Sequence, residues 1–182
     1  MSLRGITTLD VGSSSSLKPD GPIRTLIRTY GLFRRVMDPY FAQFGLSSSQ
    51  WSVLRALHRA EAEGLTTLRL TDLSSRLLVR PPSVTGVVDR LHRMGLLKRS
   101  KSAEDHRAKE VSLTPAGRTR VNQVLEKIPH QIGSVLGALS ASDQEMLQKL
   151  LSTVAARLEL LAGKLETGAG NDTDTEHDNG NG

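Results

Sequence analysis

Apolar side chains recur every three or four residues along the first part of the chain, which is the spacing of a helix with one buried face. This pattern predicts a first helix over residues 23–44, which Gly45 can end in a left-handed conformation. It predicts a second helix over 49–63, capped at its start by Ser47 or Ser48. The side chains expected to face inward in the second helix are Trp51, Leu54, Leu57 and His58.

Two shorter helices joined by a tight turn follow a brief extended stretch. Thr71 is expected to cap the third helix, over 72–78. Pro81 and Pro82 suit the first turn of a fourth helix, because that turn does not need their missing N–H groups, and Gly95 can end it. Its inward positions are spaced i, i+3, i+4 and i+7: Val84, Val87, Val88 and Leu91. The pair therefore predicts a helix-turn-helix unit.

A β-hairpin is predicted next. Residues 96–100 and 109–113 are the two strands, and in the second strand apolar and polar side chains alternate. The intervening residues 101–107 form a charged tip, so the hairpin has the character of a wing. Thr114 and Pro115 then cap and begin a fifth helix.

The last two helices carry apolar residues in steps of four and three, which indicates a seam for a partner helix. In the fifth helix the seam comprises Val121, Leu125, Ile128, Ile132, Val135 and Leu139. After a break at residues 140–142, the sixth helix repeats it with Leu147, Leu151, Val154, Leu158, Leu161 and Leu165. One small winged domain cannot cover both seams, so we expect a homodimer. The alternative is a hairpin of the two helices within one chain.

Charge is unevenly distributed along the chain, whose formal net charge is +5. Residues 166–182 contain five acidic residues and no Lys or Arg. Between Arg69 and Arg120, twelve Lys or Arg stand against five Asp or Glu, a net +7. Such an excess favours a polyanionic partner, and a solvated charged surface is the alternative. The Ser-rich residues 1–20 and the acidic tail 166–182 are expected to be disordered.

Several classes of protein are disfavoured. The chain has no cysteine, which excludes disulfides and thiolate metal sites. No stretch approaches the roughly 20 apolar residues of a membrane span, and residues 1–18 lack the apolar run of a signal peptide, so a cytoplasmic protein that does not associate with membranes is expected. No nucleophile elbow, phosphate loop or paired-histidine zinc motif occurs, and the five histidines are scattered. We therefore expect no enzyme, no cofactor and no metal site.

Six short strings occur in order along the chain, and together they resemble the MarR family, the multiple-antibiotic-resistance type of transcription regulator. The similarity covers roughly residues 23–165. Any one string is weakly specific, whereas the ordered set is strongly specific. The strings are Leu46-Ser47 to Gln50–Leu54, Leu73–Leu77, Pro82–Leu91, Gly95–Arg99, Asp105–Ala108 and Leu113–Gly117.

The resemblance implies a mainly α fold with a small β wing. It places one domain over 21–165, with a winged helix-turn-helix at about 47–113 and dimerisation helices at about 21–45 and 114–165. It also implies a homodimer that binds a pseudo-palindromic operator on double-stranded DNA. Members mostly repress transcription, and many release DNA on binding a small aromatic or phenolic effector.

The fourth helix is the recognition helix by its place as second member of the pair. Small residues at its start let the backbone approach the groove floor, and Arg90 can reach a guanine edge or a phosphate. For the charged residues of this helix, the alternative is a solvated face with an Asp89–Arg93 pair. The predicted DNA contacts in this helix are Pro82, Ser83, Thr85, Gly86, Arg90 and Arg93.

The wing supplies the other predicted DNA contacts. Arg107 suits the narrow minor groove of A·T-rich DNA. The resemblance implies that Asp105 positions a neighbouring arginine, and His106 stands where the family usually has the first arginine of Asp-Arg-Arg. The complete wing set is Lys98, Arg99, Lys101, Asp105, His106 and Arg107, of which the first three are expected to contact phosphates.

An effector pocket is expected where the first and second helices meet the winged domain. Its candidate lining residues are Tyr30, Phe33, Arg34, Trp51 and His58. For the aromatic residues, ordinary core packing is the alternative. A winged-helix module that binds protein and an architectural DNA binder without an effector also remain open at this stage.

Overall fold

The structure is a computed structural model that describes residues 21–79, 81–101 and 109–168. It is mostly helical with a small antiparallel sheet, as predicted. The helices are α1 (Pro22–Ala42), α2 (Ser48–Ala62), α3 (Leu70–Leu77), α4 (Pro81–Arg93), α5 (Pro115–Leu136) and α6 (Ala141–Gly168). The strands are β1 (Leu68–Arg69), β2 (Leu97–Lys101) and β3 (Lys109–Leu113).

The described residues divide into two compact units, and the division falls between Pro129 and His130. The first unit contains α1 to α4, the sheet and most of α5. Its core side chains come from every one of these elements and are almost all aliphatic. The most deeply buried are Met37, Val53, Leu54, Leu73, Val84, Val88, Leu91, Leu97, Val111, Leu113, Val121 and Val124.

Local signals set the ends of α1 and α2 as the sequence predicts. Gly45 has a φ of 68°, the left-handed conformation expected after α1. The Ser47 hydroxyl accepts a hydrogen bond from the Gln50 N–H at 3.2 Å, and the Gln50 side chain accepts one from the Ser47 N–H at 2.8 Å. This capping box satisfies two backbone donors that the first turn would otherwise leave unpaired. Ser47, rather than Ser48, is therefore the cap of α2.

The prediction that Thr71 caps α3 is wrong. Arg69 occupies the cap position and makes no side-chain capping hydrogen bond, while Thr71 lies within the first turn. The reason is the pairing of β1, in which Leu68 and Arg69 lie opposite Val111 and Glu110 of β3. This pairing keeps the backbone extended up to Arg69, so the helix begins at the next residue.

The three strands form an antiparallel sheet in the order β1-β3-β2. The predicted hairpin is confirmed: Leu97 lies opposite Leu113, and Lys101 lies opposite Lys109. Residues 102–108, which contain the tip of the wing, lie outside the described residues. The buried side chains of Leu97, Val111 and Leu113 fix the face of the hairpin that packs on the helices.

The start of α5 makes a close contact with the end of α4. The Thr114 hydroxyl accepts a hydrogen bond from the Gly117 N–H at 3.0 Å and donates one to the Gly95 carbonyl at 2.7 Å, while the Thr114 N–H donates to the Leu96 carbonyl at 3.1 Å. A Cβ on Gly117 would lie 2.1 Å from the Leu96 carbonyl oxygen, so this approach requires glycine. The predicted cap at Thr114 is confirmed.

The predicted seam of α5 needs two corrections. Val121 is fully buried, together with Val124, inside the first unit, so this part of the helix packs on the chain's own core rather than facing a partner. In addition, α5 ends at Leu136, so Leu139 lies in the connection between helices. The break predicted at residues 140–142 falls a few residues too late. Ser140 already caps α6 by accepting a hydrogen bond from the Asp143 N–H at 3.2 Å, so the helix begins at Ala141.

The second unit contains the end of α5 and the whole of α6, which continues to Gly168, three residues beyond the predicted boundary at 165. The apolar stripe of α6 is exposed to solvent. Leu151 is 44% exposed and Leu158 is 55% exposed. The helix thus presents a row of leucines that the described part of this chain does not cover.

Candidate DNA interface and effector cavity

The helix α4 has one buried face and one polar face. Val84, Val88 and Leu91 are at most 1% exposed and anchor the helix in the core. The residues predicted to contact DNA fall on the remaining surface. Pro82, Ser83, Thr85, Arg90 and Arg93 are exposed, and Gly86 is half-buried with open space where a Cβ would stand.

The acidic residue of this helix makes a contact that the sequence did not indicate. Asp89 Oδ1 lies 2.6 Å from Arg99 Nη2 of β2, so the Asp89–Arg93 pair considered as an alternative is not the one formed. The Arg99 side chain is only 27% exposed, and its Nε and Nη2 are buried without an aligned hydrogen-bond partner among the described residues, so the contact with Asp89 is an ion pair. Arg99 therefore joins the wing to α4, and its charge is partly neutralised before any phosphate approaches.

The structure describes some of the other predicted wing residues and not others. Lys98 is exposed on β2. Lys101 ends β2, but its side chain lies outside the described residues, as do Asp105, His106 and Arg107. Their role in binding DNA remains a prediction.

Two side-chain contacts support the carboxyl-terminal end of α4. His92 Nδ1 lies 3.0 Å from the Leu97 carbonyl oxygen, and the Gln50 side chain contacts Met94 Sδ at 3.3 Å. Sequence reasoning missed both, because each joins residues from different elements. These contacts fix the end of the recognition helix against α2 and the first residue of the wing strand.

Two ion pairs stabilise the end of α2. Arg118 Nε and Nη2 donate to the two carboxylate oxygens of Glu61 at 3.0 and 2.7 Å. Arg76 Nη2 donates to Glu63 Oε2 at 2.7 Å, and this hydrogen bond lowers the pKa of the Glu63 carboxyl. The pairs link α2 to α5 and to α3, the two helices on either side of the recognition helix in the sequence.

A cavity of about 290 Å³ lies between α1, α2 and the helix-turn-helix. Of the predicted pocket residues, Tyr30 and Arg34 line it. Serine hydroxyls from α2 and from Ser83 of α4 supply polar groups, and aliphatic side chains supply the rest of the wall. The complete lining is Tyr30, Arg34, Ser48, Ser49, Ser52, Val53, Leu77, Val79, Ser83, Val84 and Val87.

The three other predicted pocket residues do not line this cavity. Phe33 is 38% exposed on α1. Trp51 is 7% exposed, stacks on Phe41 with 5.5 Å between ring centroids, and lines a different cavity between α2 and α3. His58 is half-buried, with Nδ1 3.2 Å from Arg55 Nη1. Tyr30 and Arg34 are therefore the two candidates that the structure brings together.

Among residues 21–79, 81–101 and 109–168, no three His, Asp or Glu side chains group in a way that could hold a metal ion. In the same part of the chain, no helix has the length and apolar character needed to cross a membrane.

Comparisons with known proteins agree with this geometry. Residues 44–108 match the sequence profile of the MarR family. The HTH-type transcriptional repressor YetL of Bacillus subtilis is 32% identical over 125 residues, which are 69% of this chain and 73% of that protein. Among curated relatives, the HTH-type transcriptional regulator PecS of Dickeya dadantii is 27% identical over 75% of this chain and 81% of that protein.

Solved structures of similar fold include proteins with DNA. A mutant MarR from E. coli complexed with operator DNA has a TM-score of 0.66 and 23% identity, with 73% of this chain and 93% of that chain covered. BpsR of Bordetella bronchiseptica, solved to explain how 6-hydroxynicotinic acid regulates its DNA binding, has a TM-score of 0.64 and 25% identity, with 72% and 96% covered. These likenesses cover nearly three quarters of the chain.

Proposed function

Because this chain belongs to the MarR family of DNA-binding transcription regulators, we propose that it binds a pseudo-palindromic operator as a homodimer and represses transcription. The observation that carries the proposal is the polar face of α4. That face presents small residues at the helix start and arginines towards its end, on a helix whose other side is anchored in the core.

The proposed contacts divide into those that read bases and those that hold the backbone. Ser83 and Thr85, near the helix start, contact base edges or phosphates, and Arg90 reaches a guanine edge. Lys98, on the exposed side of β2, contacts phosphate. Arg107 at the wing tip enters the minor groove. The narrow groove of A·T-rich DNA attracts a guanidinium group.

Two exposed apolar surfaces support the homodimer. On α6, five leucines and valines of the predicted stripe (Leu147, Leu151, Val154, Leu158 and Leu161) are each 37–55% exposed. On α1, Ile23 and Ile27 are more than 60% exposed. Rows of exposed apolar side chains favour an interaction site, and a second copy of the chain presents the same residues in return.

The 290 Å³ cavity supports release by a small aromatic or phenolic effector. Arg34 supplies a positive charge, Tyr30 an aromatic wall, and the serine hydroxyls supply hydrogen-bonding groups, which suits a small ring bearing a carboxylate or hydroxyl. Ser83 lines this cavity and is also one of the DNA contacts proposed for α4. A bound effector would therefore compete directly for the start of the recognition helix. The regulation of BpsR by 6-hydroxynicotinic acid is a family precedent for an effector of this size.

Selecting bound sequences from a random DNA pool tests the proposal. A MarR-type regulator should enrich a pseudo-palindrome, and the selected site then allows fluorescence anisotropy with two variants. Arg90→Ala should weaken binding to the selected site by about 1–3 kcal/mol, and it should weaken binding to random DNA much less. Lys98→Ala should weaken binding to the selected site and to random DNA equally. It should also reduce the slope of log affinity against log salt concentration by about one unit. Failure to enrich any sequence, with equal effects of both variants on all DNA, would contradict sequence-specific recognition.

A further inference from the structure

A second cavity, of about 350 Å³, lies between α2 and α3 on the far side of a wall that it shares with the effector cavity. Ser52 and Leu77 form this shared wall. The second cavity is distinguished by three guanidinium groups, from Arg55 and Arg59 of α2 and from Arg76 of α3. Arg55 and Arg59 are one helical turn apart, so they lie on the same face of α2.

Positive charge exceeds negative charge in this cavity. Glu63 is the acidic residue among those that line it, and its carboxylate is paired with Arg76 at 2.7 Å. Arg55 Nη1 lies 3.2 Å from His58 Nδ1, which offers no negative charge. Burial lowers the pKa of the Arg55 guanidinium, and the nearby charge of Arg59 lowers it further. Arg55 is half-buried and Arg59 is exposed, so the two like charges repel one another beside the partly desolvated Arg55, and a bound anion would offset this repulsion.

The apolar side of the cavity is preformed. Trp51 lines it, is 7% exposed, and stacks on Phe41 with 23° between the ring planes. This stacking holds the indole in one orientation. Ala56 and Leu77 add aliphatic surface. An aromatic wall beside neighbouring cationic groups in one cavity suits a flat molecule with one negative end.

We propose that this cavity binds a small organic anion, whose carboxylate or phosphate group meets Arg55 and Arg59 while its flat apolar part lies against Trp51. The Arg76–Glu63 pair borders the site, and the Arg76 hydrogen bond and the nearby charge of Arg59 both lower the pKa of the Glu63 carboxyl. Three guanidinium groups therefore share one carboxylate, and an anion would balance the remaining charge. The site is separate from the effector cavity, so its occupancy does not depend on Arg34 or Tyr30. A concave site with an apolar wall suits a small molecule better than a DNA phosphate, which needs only an exposed cation.

The test uses the fluorescence of Trp51 in the full chain, because this is the chain's one tryptophan and it lines the proposed site. The probes are benzoate and phenyl phosphate, which distinguish the two anionic groups, with benzyl alcohol as the neutral counterpart. We expect a saturable fluorescence change with at least one anion and a much weaker one with benzyl alcohol. Arg59→Gln should weaken anion binding about tenfold or more, since it removes a charged donor.

Two control variants make the result specific. Arg157→Gln makes the same substitution at an exposed position of α6 and should leave the titration unchanged. Arg34→Gln alters the effector cavity, which Trp51 does not line, so benzoate bound there should not contribute to the Trp51 signal and the titration should stay unchanged. The inference is overturned if neither anion gives a saturable change, if benzyl alcohol binds equally well, or if Arg34→Gln rather than Arg59→Gln removes binding. It is also overturned if Arg59→Gln weakens DNA binding with no anion present and leaves anion binding intact, because Arg59 would then be a DNA contact.

Discussion

Asp89 of α4 and Arg99 of β2 form an ion pair across the helix and the wing, with 2.6 Å between Oδ1 and Nη2. The pair fixes the position of the wing strand relative to the recognition helix. It also neutralises a carboxylate beside the surface proposed to face DNA, where an unpaired carboxylate would repel phosphates. One acidic residue in a basic region therefore has a structural role.

We expect this ion pair to appear as a coupling energy in a double-mutant cycle. Asp89→Asn and Arg99→Gln should each lower the free energy of unfolding, and the double variant should lower it by about 0.5–1 kcal/mol less than the sum, as for other partly exposed pairs. Urea denaturation measures all three. Asp89→Asn combined with Arg93→Gln is the matched control and should be additive. Coupling in that control, and none with Arg99, would show that Asp89 pairs along the helix in solution.

Two glycine substitutions should change stability in opposite directions. Gly117→Ala places a methyl group 2.1 Å from the Leu96 carbonyl oxygen, so we expect the free energy of unfolding to fall by about 1–3 kcal/mol. Gly86→Ala meets open space inside α4, so it should rise by about 0.5–1 kcal/mol because alanine has the higher helix propensity. Thermal unfolding measures both. Equal effects would mean that the contact between α5 and Leu96 is looser than described.

The turn of the helix-turn-helix contains a strained residue. Leu78 has a φ of 53° and is 82% exposed, so its side chain contributes little packing to offset the cost of a left-handed conformation. We expect Leu78→Gly to raise the free energy of unfolding by about 1 kcal/mol. Val79→Gly, at the next residue, should lower it, because the φ there is ordinary and glycine only adds flexibility to the unfolded chain. A loss of stability in Leu78→Gly would count against the left-handed turn.

The exposed leucines of α6 provide a test of assembly. Replacing both Leu151 and Leu158 by Glu would bury two charges if a partner helix covers these positions. Each buried charge would cost on the order of several kcal/mol. Analytical ultracentrifugation should then show a shift from dimer to monomer. Lys149→Glu, on the same exposed helix, is the control and should remain dimeric. A double variant that sediments as a dimer would place the interface elsewhere.

The Glu63–Arg76 hydrogen bond predicts a pH dependence of stability. It lowers the folded-state pKa of Glu63 below the unfolded value of about 4.3, so the pair contributes its full stability above that pH. The contribution is lost as pH falls through the folded-state pKa. The difference in melting temperature between the wild type and Glu63→Gln should therefore be constant above pH of about 5 and shrink below about 4. A difference that grows on acidification would contradict the pairing.

The sequence predicted those parts of the fold that depend on local signals. The start of α4 at Pro81, the hairpin, and the caps at Ser47 and Thr114 follow from residue types that favour those conformations wherever they occur. Thr71 has the same preference as Thr114. Thr71 does not cap a helix because β1 pairs with β3, about 40 residues further along the chain. Such a long-range contact cannot be predicted from local propensity.

The parts of the candidate site that could not be predicted depend on tertiary contacts. The alternative considered for Asp89 was a pair with Arg93, one turn away on the same helix. Its partner lies instead on β2, because the hairpin folds back alongside α4. The periodicity of α5 showed which side chains are apolar but not what covers them, so Val121 was assigned to the wrong interface. Tyr30 and Arg34 were predicted with three other residues, and only the folded chain separates the two cavities.

The hydrogen bonds of Thr114 have a mechanical consequence. They join the residues that end α4 to the first turn of α5, where Gly117 lies against the Leu96 carbonyl. The end of the recognition helix α4 and the start of α5 thus form one stiff joint. Any rotation of α4 must then pivot about this joint, with the largest displacement at the opposite end near Pro82 and Ser83. Such a rotation would also move Val84, which is 1% exposed, so withdrawing those residues from the proposed DNA groove would require the core around Val84 to repack.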